Sequence, residues 1–174
     1  MNKFTTVTLS ALTACMTLAP SAMAKSNYVD HIQLGQTVRS TGIQLKINPS
    51  ECWERNALGW YWAYGNEMTI CQQNKRRVNE EVRWTEEDLD TLRHEAQHLI
   101  QDCTDGTRQG ALGAVYKDPI GLAKKVLGDR GIRSIIAAYP DASKHVIVME
   151  LEAFSVAAIN DPLDQVKDIQ HYCF

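Results

Sequence analysis

Thr91-Leu92-Arg93-His94-Glu95-Ala96-Gln97-His98-Leu99-Ile100 sets two imidazoles four positions apart, with a carboxylate directly after the first. On a helix such positions lie about one turn apart on the same face, so both rings can reach one metal ion. Glu95 then sits beside them as a base.

The flanks predict that helix independently. Trp84-Thr85-Glu86-Glu87-Asp88 offers Thr85 as an N-cap and three acids in the first turn, where the helix dipole favours them. Apolar residues then recur at helical spacing, and the helix is expected to run from about Glu86 to Cys103. Leu89, Leu92, Ala96, Leu99 and Cys103 form one stripe; Thr91, His94, Glu95, His98 and Asp102 fall opposite it. That phase fits either a solvated polar face or the floor of a cleft.

The first 24 residues read as a signal peptide: Lys3, an apolar stretch over 4–18, and Ala22-Met23-Ala24 as the small-x-small cleavage signal. Leu12-Thr13-Ala14-Cys15 also resembles a lipobox, in which Cys15 would carry a lipid anchor. Cleavage after Ala24 leaves 150 residues, enough for one domain over 25–174. No other segment is long and apolar enough to span a membrane. The mature chain has 17 basic and 21 acidic residues, a net charge of −4 with no basic block, so nucleic acid is not an expected partner. Cys52, Cys71, Cys103 and Cys173 remain, an even number without a C-x-x-C pair. In an exported chain they suggest two disulfides, with Cys52–Cys71 and Cys103–Cys173 the favoured pairing. The expected location is periplasmic or secreted.

Around the His helix, residues 28–39 suggest a short helix and 42–47 a half-buried strand. Residues 58–64, rich in Trp and Tyr, and 67–71 suggest a hairpin turning at Gly65-Asn66. Downstream, 104–113 is polar and glycine-rich, as in a loop. Four helices should follow, beginning at Asp118-Pro119, at Gly131, at Ser143 and at Asp161-Pro162. The expected class is α+β: a small antiparallel sheet, the His helix, and a helical C-terminal half.

His94-Glu95-x-x-His98, with Thr91 three places before the first His, uncharged Ala96 and Gln97 between the two, and apolar Leu99 and Ile100 after them, resembles the zincin metallopeptidases. The metzincin extension is missing, because Gln101 and Thr104 stand where it needs Gly and His. An Asp ligand in a G-T-x-D setting is missing too, since Gly106-Thr107 precede Arg108-Gln109. The chain therefore resembles the gluzincin branch, whose third zinc ligand is a Glu from a later helix. Met149-Glu150-Leu151-Glu152-Ala153-Phe154 supplies two, each an acid among apolar residues that wants a cation. They point about 160° apart on a helix, so at most one can face the His pair. The E-x-E-A wording resembles the ligand-bearing segment of small gluzincins and favours Glu152, with Glu150 in reserve.

The resemblance implies a zincin-like minimal domain holding one zinc ion per chain through His94, His98 and Glu152. It implies hydrolysis of peptide bonds with Glu95 as general base, and a peptide or protein substrate paired to the strand edge before the His helix. Trp60, Trp62 and Tyr64 would line the subsites, and Tyr116, Tyr139 and His145 are candidate oxyanion donors. His171 is expected on the surface. A secreted, non-catalytic zinc-containing module and a zinc amide hydrolase of peptidoglycan cross-links are the competing readings.

Overall fold

The computed structural model describes residues 9–12 and 28–174. The cleavage signal at Ala24 and the lipobox Cys15 lie outside the described residues. Six helices and a small sheet make an α+β fold: β1 (Leu9–Leu12), α1 (Tyr28–Ser40), β2 (Gln44–Ile47), β3 (Ala57–Trp62), β4 (Glu67–Ile70), α2 (Glu86–Cys103), α3 (Pro119–Val126), α4 (Gly128–Ala138), α5 (Lys144–Ile159) and α6 (Pro162–Tyr172).

Side-chain caps account for where most of the helices begin. Thr85 and Asp88 form a reciprocal capping box at the start of α2. Asp118, Ser143 and Asp161 accept from backbone amides at the starts of α3, α5 and α6, and proline follows two of them at the first helical position. Tyr139-Pro140 stops α4, because the residue before a proline is pushed out of helical geometry.

The sheet is mixed, where the sequence suggested an antiparallel one. β3 and β4 form the expected antiparallel hairpin, with Asn66 in the left-handed region at its turn. β2, however, pairs parallel with β4, giving the order β1-β3-β4-β2. The reason is the path between β2 and β3. The chain leaves β2 through Asn48 into a 3-10 turn, Ser50–Trp53, and the Cys52–Cys71 disulfide ties that turn to the end of β4. It must cross β4 before it can start β3, so β2 is left on β4's far side. β1, inside the expected signal peptide, lies antiparallel along the outer edge of β3.

Helix α2 is the centre of the molecule. Its apolar stripe, Leu92, Ala96, Leu99 and Cys103, packs with Leu34 and Val38 of α1, Met68 and Ile70 of β4, and Val166 and Ile169 of α6 in one core cluster. The opposite side is buried as well, covered by α5 and β3. The reading of two solvated histidines is thereby excluded. Cys103–Cys173 fastens the end of α2 to the residue after α6. Both favoured disulfides are present, as fits an oxidising compartment. Among the described residues no helix is long and apolar enough to cross a membrane.

Candidate metal centre

His94 and His98 project from successive turns of α2 with their Nε2 atoms 3.1 Å apart and their rings edge to face. Helix α5 brings Glu150 against them: Oε2 lies 3.4 Å from His94 Nε2 and Oε1 3.5 Å from His98 Nε2. The three side chains are the one group among the described residues whose ligand atoms converge as a metal site would require. Donors about 2.1 Å from a tetrahedral ion sit about 3.3 to 3.5 Å from one another, so the observed spacings fit a bound divalent metal.

Burial makes the cluster electrostatically demanding. Glu150 is wholly inaccessible and His98 nearly so. Desolvation alone would raise the Glu150 pKa, but the two imidazoles override it and hold the carboxylate far below its usual range. Burial alone would lower His98, yet Glu150 pulls it up to about 9, while desolvation dominates at His94 and lowers it. The proton that balances the carboxylate therefore sits on His98. Phe154 packs on the His94 ring at 4.3 Å and helps keep water away.

Glu95 is 1% exposed, and the Tyr61 backbone amide points toward its carboxyl group. Burial pushes its pKa up to about 8 against the pull of His98. It faces Gly59 on β3, where a Cβ would come within 3.1 Å of Glu95 Oε1 and 2.7 Å of Thr91 Cγ2. Glycine at 59 is therefore what lets β3 lie so close to Glu95.

Glu152, favoured from the sequence as third ligand, is not beside the histidines. Its carboxylate accepts from Gln97 Nε2 (2.9 Å), Gln101 Nε2 (3.4 Å) and the backbone amides of Val115 (3.0 Å) and Tyr116 (3.4 Å). With its lone pairs committed to four donors it has none to offer a metal. The reserve residue, Glu150, is instead the acid that converges with the two histidines.

Of the candidate oxyanion donors only Tyr139 reaches the cluster, its hydroxyl donating to Glu150 Oε2 at 2.9 Å. Tyr116 pairs with Asn160, and His145 donates to the Leu112 carbonyl. Trp60 is not a subsite aromatic: it is buried with Cys52, Ala57 and Cys71 on the face of the sheet away from α2. Trp62 and Tyr64 are exposed, and Tyr64 lies against Gly110 in the loop after α2. Gln97 and Gln101 were not singled out from the sequence as parts of the site. The available signal was their spacing, each three positions after one of the histidines.

A family model described as a domain of unknown function, DUF8637, matches residues 22–174. The chain belongs to the DUF8637 family. Neither a curated protein nor a solved structure matches it. The matched span includes His94, Glu95, His98, Glu150 and Glu152, so all of the DUF8637 chain's candidate site lies within it.

Proposed function

We propose that the chain is an exported zinc-dependent hydrolase of peptide or amide bonds, gluzincin-like in its ligand set, with His94, His98 and Glu150 as ligands and Glu95 as general base. The observation that carries this reading is Glu150, a wholly buried carboxylate set between the two imidazoles at ligand spacing. A zinc ion bound there would polarise a substrate carbonyl and lower the pKa of water. Glu95 supports the catalytic form of the reading, since a structural site has no use for a second buried carboxyl group beside its ligands. With a divalent cation bound beside it the carboxyl would be held ionised, able to take a proton from the attacking water and pass it to the leaving amine. Tyr139, whose hydroxyl donates to Glu150, would be the donor to the oxygen of a substrate carbonyl once that bond is released.

A non-catalytic metal-holding module is the second reading. It is favoured by the burial of His94, Glu95, His98 and Glu150, none more than 4% exposed. The two separate on one set of measurements: metal content of the purified mature domain, then cleavage of peptide libraries and of purified cell wall, with and without chelator. Stoichiometric zinc with chelator-sensitive cleavage, abolished in Glu95→Gln, is expected. Zinc without any cleavage would leave the binding module, and cleavage of cell wall alone would specify the peptidoglycan amide bond. A chain that stays empty with zinc available would end both.

A further inference from the structure

Glu152 and Gln101, neither of which touches the metal position, form a chain of hydrogen bonds that ends on a ligand. Gln101 Oε1 lies 2.8 Å from His98 Nδ1, and Gln101 Nε2 donates to the Met149 carbonyl at 3.0 Å and toward Glu152 Oε1 at 3.4 Å. A backbone carbonyl and a carboxylate can only accept, so the NH2 end of the amide must face them and its oxygen must face His98. An oxygen facing Nδ1 requires the proton on Nδ1. The lone pair of the neutral ring is then on Nε2, the atom that points at His94 and Glu150.

We infer that Glu152 is a positioning residue: acting through Gln101, it fixes the Nδ1–H tautomer of His98 and so presents Nε2 to the metal. This rests on the zinc reading above for its purpose, though the hydrogen-bond chain stands without it. The same carboxylate also holds the Val115 and Tyr116 amides, so the segment entering α3 is fastened to the group that orients the ligand. Partners of this kind, one bond removed from a metal, typically change affinity about 10–100-fold when lost.

The test uses the mature chain and its Gln101→Leu, Glu152→Gln and doubly substituted forms. Zinc affinity is read by equilibrium competition with a chromogenic chelator. The His98 ring nitrogens are read by 15N NMR in the metal-free chain at a pH above the imidazole titration. Each single substitution should weaken zinc binding about 10–100-fold, and the double substitution should do no worse than Gln101→Leu alone. In both single variants the His98 signals should move from a pure Nδ1–H state to a mixture of tautomers. Additive losses, or an unchanged tautomer in Glu152→Gln, would reduce Glu152 to a loop anchor and overturn the inference. Should Glu152→Gln not fold, Gln101→Leu still decides, because a pure Nδ1–H state there leaves Glu152 nothing to act through. If the native chain takes up no zinc, the proposed function fails while the ring signals still test the relay.

Discussion

Glu150 and His98 meet across the interface of α5 and α2, Oε1 to Nε2 at 3.5 Å, and each holds the other in its charged form. Two charges this deeply buried need each other or a metal, since a lone one would bear the full cost of desolvation. Glu150→Gln should therefore weaken zinc binding by more than the roughly 10–100-fold expected for a supporting partner such as Glu152. Competition titration of the two variants side by side checks the order. Equal losses, or the reverse order, would return Glu152 to the ligand set.

Metal-free stability should fall as pH rises. Glu95 has its pKa raised from 4.5 to about 8, so the stability linked to its neutral form is complete below pH 4.5 and is lost by about pH 8. His98, raised from 6.5 to about 9, loses its contribution over the upper part of the same range. The lowered pKa of His94 opposes this loss below 6.5, so urea midpoints measured with chelator present should decline from about pH 6.5 to 9. Glu95→Gln should make that slope shallower up to about pH 8, by on the order of a few kcal/mol. A flat native profile would show that Glu95 is hydrated in solution.

Gly59→Ala should be costly although glycine is a poor strand residue. The added methyl would stand 2.7 Å from Thr91 Cγ2, 2.8 Å from the Thr69 carbonyl and 3.1 Å from Glu95 Oε1. Overpacking of this kind costs about 1–3 kcal/mol and would push the base aside. Denaturation gives the first effect. A fall in hydrolysis at unchanged zinc content gives the second.

Loss of the two disulfides should not be equivalent. Cys103–Cys173 spans 70 residues and Cys52–Cys71 spans 19. The chain-entropy relation gives about 4 and about 3 kcal/mol respectively. Paired Cys→Ser variants compared by urea denaturation check the ranking. The long bridge should also matter more for zinc, because it fixes the end of the helix that carries both histidines.

The helices were legible because their ends are written in single residues: Thr85, Asp118, Ser143 and Asp161 each cap the helix that follows. The β3–β4 hairpin was legible from its aromatic run and its Gly65-Asn66 turn. The partner of β2 was not, since a four-residue strand carries no mark of which neighbour it will meet after a long crossover. The choice between Glu150 and Glu152 is not written in the sequence, for a related reason. Helix α5 is buried around most of its circumference, so its apolar pattern has no phase and does not say which side faces α2. Gln101 was visible as a departure from the metzincin pattern, while its bond to His98 depends on where α5 delivers Met149 and Glu152.

The pairing of β1 with β3 gives the expected processing event a structural cost. Leu9 lies opposite Tyr61, Ser10 opposite Trp60 and Leu12 opposite Ala57, so trimming after Ala24 strips β3 of its neighbour along that side. The strand beside Glu95 is then a bare row of amide donors and acceptors, a template for any extended chain it meets. Maturation would thus make this protein stickier, and a solution of the trimmed form should be the one that needs watching for self-pairing as its concentration rises.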